Sequence, residues 1–355
     1  MKDLRNLINP AIRDLLPYKS ARSEVNSDNY LLLDANESPY GEFNRYPDPL
    51  QREVKQAVSR WKNVREDQIF LGNGSDEAID LLMRVFTRPG SDDQVLVPVP
   101  TYGMYKVSAA IQQIDFNTLV LGENFQLEAK SLLDAVTADT RIIILCTPNN
   151  PTGNTFSVDE MMKVLKGFKG IVVVDEAYID FANNPSMLTR LDDYPNLVVL
   201  QTFSKAMGMA GTRLGMAFAN PLIIEQLNKI KAPYNVNALT QAFALKQLQQ
   251  ESVNNSCIRS IVAEREVLAN ALHELPAVTK VYPSEANFLL VQFKNAGATY
   301  RWLLKNGIVV RNRGKEPGCD GCLRISIGTP EQNRQLLMAL EQYAQDEMDN
   351  KQKSA

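Results

Sequence analysis

The chain has 355 residues, 45% of them hydrophobic and 22% charged, and a formal net charge of -3. These are the proportions of a globular protein large enough for more than one core; without a basic block, nucleic acid is excluded as an expected partner, because phosphate-backbone binding needs a cationic face. No apolar run approaches membrane-spanning length and the opening MKDLRNLINP is too polar for a secretory signal, so no membrane association and a cytoplasmic location are expected.

Residues 1–30 read as a polar N-terminal arm containing Leu15-Leu16-Pro17-Tyr18. Tyr30 to Leu33 reads as a short strand, turned by Asn36-Glu37-Ser38-Pro39. After Arg45-Tyr46-Pro47, a helix from about Pro49 is expected from the 3.6-residue spacing of Leu50, Val54, Ala57, Val58 and Trp61. From there strands and helices alternate. Ile69–Leu71, Val95–Val99, Arg141–Cys146, Ile171–Val174 and Leu197–Leu200 read as strands, most of them continuous apolar or β-branched runs. Helices are expected after Gly72-Asn73-Gly74-Ser75, over 103–113, and after Ser157-Val158-Asp159-Glu160, which has the form of a capping box. Apolar strands between amphipathic helices predict an α/β domain with a mostly parallel sheet covered on both faces. Beyond about residue 233 the pattern changes to long helical segments over 238–275. Three further strands follow (Asn287–Phe293, Ile308–Arg311, Leu323–Ile327), with helices near 298–306 and 330–345 and a frayed end. The expected organisation is the arm (1–30), a large domain (31–235) and a smaller α+β domain (236–355) packed with part of the arm.

The chain holds a single histidine, His273, in ALHELP near the end of a helical pattern, where a surface position is expected. A Ser-His-Asp triad or a HExxH zinc site would have to use it, and their other signatures are absent. Cys319 and Cys322 have metal-ligand spacing, but no second pair or neighbouring histidine completes a zinc set. No metal is expected. The polar residues instead gather just after the strands, where open α/β sheets bind their ligands. They are Gly74-Ser75-Asp76, Tyr102, Asn149-Asn150, Asp175 to Tyr178 and Thr202 to Lys205. Gly72 to Glu77 lacks the third glycine of a dinucleotide fingerprint, and no Walker lysine or G-x-S-x-G elbow is present.

The ordered segments NPTG (Asn150–Gly153), VVDEAY (Val173–Tyr178) and SKAMGMAGTRLG (Ser204–Gly215) resemble the fold-type-I aminotransferases of class I/II. Within them the chain is most similar to the histidinol-phosphate aminotransferases, through DANESPYG (Asp34–Gly41), RYPDP (Arg45–Pro49), GNGSDE (Gly72–Glu77), PTYGMY (Pro100–Tyr105) and CLRISIGT (Cys322–Thr329). The resemblance implies pyridoxal 5'-phosphate (PLP) as cofactor. It implies transfer of an amino group from L-histidinol phosphate to 2-oxoglutarate, giving 3-(imidazol-4-yl)-2-oxopropyl phosphate and L-glutamate in histidine biosynthesis.

By the same resemblance Lys205 holds the cofactor and moves the proton, Asp175 pairs with the pyridine nitrogen, and Tyr178 and Asn150 bond the phenolic oxygen. Tyr102 stacks on the ring. Ser75, Asp76, Thr202, Ser204 and Arg213 surround the phosphate. Glu176 is the rival carboxylate to Asp175. Arg324, inside an otherwise apolar strand, wants an anionic partner; with Arg311, Tyr18 and Asn36 it is expected at the substrate end. Tyr46 resembles the tyrosine that one subunit of a homodimer lends to the partner's cofactor phosphate, so shared active sites are expected. The alternatives are an aromatic amino-acid aminotransferase or a threonine-phosphate decarboxylase on the same scaffold. A PLP-binding sensor without turnover is a third reading; it could dispense with Lys205, Asp175 or Arg324, and all three are present.

Overall fold

The computed structural model describes residues 4–18 and 30–354, with side chains except at 123 and 347–354. Helices α1 (Pro10–Arg13) and α2 (Arg52–Lys62) precede a sheet made of β1 (Ile69–Asn73), β2 (Gln94–Val99), β3 (Asp115–Val120), β4 (Thr140–Cys146), β5 (Ile171–Asp175), β6 (Leu197–Thr202) and β7 (Leu214–Ala219). Helices α3 (Gly74–Phe86), α4 (Met104–Ile111), α5 (Ala129–Asp134), α6 (Val158–Gly167) and α7 (Pro221–Ile230) connect or follow these strands. The spatial order is β1-β7-β6-β5-β4-β2-β3. Every pairing is parallel except the two made by β7.

Side-chain alternation along each strand divides the core into two layers. Ile143, Leu145, Val172 and Val174 pack into one layer, with α6 and Phe203. Ile142, Ile144, Cys146, Ile171 and Val173 pack into the other, against Tyr105 and Ala109 of α4 and the apolar face of α3. The period-2 rule thus sends Asp175 toward the layer of Ile171 and Val173, and Glu176 to the opposite side.

Helices α8 (Ala238–Leu248) and α9 (Glu251–His273) lead to an antiparallel sheet of order β10-β11-β9-β8. Its strands are β8 (Val278–Val281), β9 (Phe288–Phe293), β10 (Arg311–Asn312) and β11 (Cys322–Ser326), with α10 (Ala296–Lys305) between β9 and β10 and α11 (Pro330–Ser354) after β11. Its core joins Leu268 and Leu272 of α9 to Leu289, Val291, Leu323, Ile325 and Leu340. A seam of Tyr178, Phe181, Ala206, Ala286 and Phe288, covered by Ile258 and Ile261 of α9, joins the two sheet regions. The architecture is the α/β class expected: a large, mostly parallel sheet under helices with a smaller α+β region.

Several local expectations are corrected. Residues 30–33 form no strand; Leu31 and Leu33 are 83% and 82% exposed and have no neighbouring ladder to join. Ser157 does open α6, but the reciprocal box is not made: Ser157 has no side-chain cap bond, and the Glu160 carboxylate accepts from the Ala129 amide at 2.6 Å instead. The 308–311 strand shrinks to Arg311–Asn312, while the end expected to fray continues as helix to Ser354. His273 is exposed as the last residue of α9. Cys319 and Cys322 are both fully buried thiols, pushed up to about 12 and about 11 by burial. Among the described residues no group of three or more His, Cys, Asp or Glu is arranged to hold a metal, and no helix is long and apolar enough to cross a membrane.

Candidate active site

In β4, β5 and β6 the ladder pairs Cys146 with Asp175 and Asp175 with Leu200, so the carboxyl ends of three strands finish side by side. A cavity of about 230 Å³ opens there. Asp175 forms its floor. It is 2% exposed, and each carboxylate oxygen accepts one hydrogen bond, from the Tyr105 hydroxyl at 2.6 Å and from the Ala177 amide at 3.1 Å. Burial pushes its pKa up to about 6, against the two donors and the positive charge of Lys205. Glu176 faces away from the cavity: its carboxylate takes hydrogen bonds from Ser186, the Met187 amide and Gln201.

Lys205 stands in the turn after β6, with Nζ 5.7 Å from the centre of the Tyr178 ring. Burial, then the nearby cations Arg324 and Arg213, hold its amine below the ordinary lysine range. That favours the neutral, nucleophilic form. On one wall Asn150 donates to the Tyr178 hydroxyl at 3.3 Å and accepts from Nη1 of Arg324. Tyr102 also lines the cavity, with its hydroxyl donating to Asp76 at 3.1 Å.

The start of α3 offers an anion cradle to the same cavity. Gly74, Ser75 and Asp76 form the first turn of α3, and the Asn73 cap makes no side-chain bond to the turn's amides. A helix start with open N–H groups favours a negative ligand. Beside it stand Thr202, Ser204 and Arg213, whose Nη2 is 3.3 Å from Asp76. The cradle depends on glycine: a Cβ on Gly215 would sit 2.1 Å from the Ser75 amide nitrogen, and one on Gly74 would meet Arg213 at 2.7 Å.

Eleven of the fifteen residues singled out from sequence therefore line one cavity, and four lie elsewhere. Arg311 is the register partner of Arg324 across β10 and β11 and lines a neighbouring cavity of about 420 Å³; Arg324 lines both. Asn36 and Tyr46 line a third cavity of about 580 Å³, where Tyr46 stacks on Tyr234 at 4.5 Å. Tyr18 is 75% exposed and lines none of these. Sequence reasoning missed Tyr105 and Cys146, because a buried helix aromatic and a strand-end cysteine both read as core.

A family model described as aminotransferase class I and II matches residues 25–340. The chain belongs to this family. This aminotransferase is 51% identical over 341 residues to the histidinol-phosphate aminotransferase of Parabacteroides distasonis, a match covering 96% of this chain and 99% of the relative. Among solved structures it resembles the histidinol-phosphate aminotransferase of Clostridium acetobutylicum, with TM-score 0.79 and 25% identity over 86% of this chain and 92% of that one. The fold is also that of the Sinorhizobium meliloti histidinol-phosphate aminotransferase in complex with pyridoxal-5'-phosphate, at TM-score 0.78 and 22% identity over 88% and 90% of the two chains.

Pyridoxal phosphate is the cofactor of this family of enzymes, and the residues present fit it. The helix start with Arg213 and three hydroxyls suits a phosphate, the buried Asp175 carboxylate suits a protonated ring nitrogen, and the half-buried Lys205 amine suits the aldehyde.

Proposed function

We propose that the protein transfers the amino group of L-histidinol phosphate to 2-oxoglutarate, a step of histidine biosynthesis, through the residues around Lys205. Bound PLP supplies the electron sink that stabilises negative charge on the substrate carbon next to nitrogen. Lys205 would hold the cofactor through Nζ and would move the proton to and from that carbon. Asp175, as an anion, holds the proton on the ring nitrogen. Tyr178 and Asn150 donate to the ring hydroxyl oxygen, Tyr102 covers one ring face, and Ser75, Asp76, Thr202, Ser204 and Arg213 bind or frame the cofactor phosphate.

The observation that carries the substrate reading is the double placement of Arg324. It borders the lysine cavity on one side and shares the neighbouring cavity with Arg311 on the other. Two guanidinium groups at one end and a reactive amine at the other suit a substrate with an amine near one end and a phosphate at the other. The names of the relatives, at 45–51% identity, support the same substrate. Half-reactions of the holoenzyme with histidinol phosphate, histidinol, phenylalanine and threonine phosphate, followed by absorbance, test it. Histidinol phosphate is expected to react fastest; equal efficiency on histidinol would sink the phosphate reading.

We also infer a homodimer with shared sites. The segment around Asn36 and Tyr46 leaves Tyr30, Leu31, Leu33, Tyr40 and Phe43 exposed, and Leu239 of α8 beside it is exposed too. An apolar surface of this kind suits a subunit interface. In that assembly Tyr46 reaches the partner's cofactor phosphate, and Asn36 and Tyr18 close over the substrate end.

A further inference from the structure

We propose that Tyr105 is a positioning residue for the reaction: its hydroxyl fixes the Asp175 carboxylate in the orientation and charge state in which that carboxylate meets the cofactor ring nitrogen. This rests on the reading of Asp175 above and adds a residue that stands behind the cavity wall.

Helix α4 buries one face through Tyr105, Ser108 and Ala109, the i, i+3, i+4 spacing of a packed stripe. Tyr105 is wholly buried in an otherwise apolar layer with Val97, Ile144 and Val173. Packing alone would be served by a phenylalanine there. The hydroxyl finds a charged acceptor at 2.6 Å, Oδ2 of Asp175. Such a contact is short and charge-assisted. With the Ala177 amide on Oδ1, it leaves neither carboxylate oxygen free to rotate. The Tyr105 ring also meets Tyr102 edge-on, at 5.5 Å and 83°, so one side chain buttresses both the carboxylate and the cavity-wall aromatic.

The groups facing Asp175 and the Tyr105 phenol come from every surrounding element. Asp76 stands on α3, Tyr102 before α4, Cys146 at the end of β4, Tyr178 after β5 and Lys205 after β6. Burial and Asp76 favour the neutral acid, whereas the Tyr105 hydroxyl, the Ala177 amide and Lys205 favour the anion. Tyr105 is the only side-chain donor to Asp175 among the hydrogen bonds of the described residues.

The test is the acid limb of cofactor binding in the holoenzyme, read as the visible absorbance of the lysine-bound cofactor and the fraction retained after desalting, from about pH 5 to 8. With Tyr105→Phe the limb is expected to move up by about one pH unit, a tenfold change in the acid's dissociation constant. Turnover falls mainly in kcat. Replacing Tyr105 with 3,5-difluorotyrosine, a stronger donor of nearly the same shape, moves the limb down, which a purely structural role would not do. That variant keeps the test alive if Tyr105→Phe folds poorly. Asp175→Asn should abolish the limb, and adding Tyr105→Phe to it should change nothing further. If Asp175→Asn leaves the limb in place, the reading of Asp175 falls and this proposal with it. If Asp175→Asn abolishes the limb while neither Tyr105 variant shifts it, the reading of Asp175 stands and the role of Tyr105 is refuted.

Discussion

The cavity at the strand ends and the segment from residue 30 to 47 are both rich in functional candidates, yet they are built in opposite ways. Around Lys205 each group is set by a strand end or a helix start and tied to another: Asp175 to Tyr105, Asn150 to Tyr178 and Arg324, Arg213 to Asp76. The outer segment is held by local ties, such as Glu37 to Arg45 at 2.7 Å and to the Tyr46 amide at 2.6 Å, and leaves its large apolar side chains in solvent. The first region has its groups tied to one another within one chain. The second has the composition of a buried surface without the cover, which is why the dimer reading attaches to it.

The largest effect is expected from Lys205→Ala. It should abolish turnover and the visible absorbance of the lysine-bound cofactor; borohydride fixation of PLP on another lysine in the wild type would overturn the assignment. Asp175→Asn is expected to keep some PLP and to lose roughly a hundredfold or more in kcat, the scale of removing one electrostatic stabiliser. Loss of either Arg324 or Arg311 should raise KM for histidinol phosphate by roughly ten- to a hundredfold, from charge-assisted bonds worth about 1.5–3 kcal/mol. Steady-state kinetics on histidinol phosphate and histidinol measure it, and an equal effect on both substrates would argue against a phosphate contact.

The outer segment is tested by complementation. Coexpressed Lys205→Ala and Tyr46→Ala chains should form a mixed dimer with one intact site, recovering about half the wild-type activity per dimer. No recovery, or a monomer by light scattering, would leave Tyr46 as a packing residue of its own chain.

The smallest effect concerns Glu176, which shares the strand end with Asp175 but not the cavity. Burial pushes its pKa from 4.5 up to about 7. Because the folded value is the higher one, the stability it contributes is present below about pH 4.5 and is lost as pH rises through about 7. Glu176→Gln should flatten the slope of stability between those values by up to one proton, read by urea unfolding at several pH values, with turnover within a few-fold of wild type. A turnover loss matching that of Asp175→Asn would erase the distinction between the neighbours.

Much of the large sheet was legible because RIIILC, IVVV and LVVL are buried on both faces and read as continuous apolar runs. Strand β3 was not, since DFNTLV is a half-exposed edge strand. β7 was hidden by its glycine, methionine and alanines, and β8 is short and partly exposed. The cavity residues were readable from their position after strands together with the motif resemblance. Tyr105 was not, because nothing in MYKVSAAI separates a phenol that packs from one that donates. Glu160 shows the converse: a good local pattern lost its partner to the Ala129 amide, a contact with no sequence signal.

The approach of Gly215 to the start of α3 bears on how the scaffold can be altered. With the Ser75 amide 2.1 Å from where any Cβ would lie, even alanine would push β7 away from the helix that closes the anion cradle. For directed evolution this makes position 215 a fixed point and the walls the variable ones. Libraries that seek a new amine acceptor or donor are best spent on the cavity around Arg311, Tyr300 and Val309, where side chains face open space and the cofactor seat is left undisturbed.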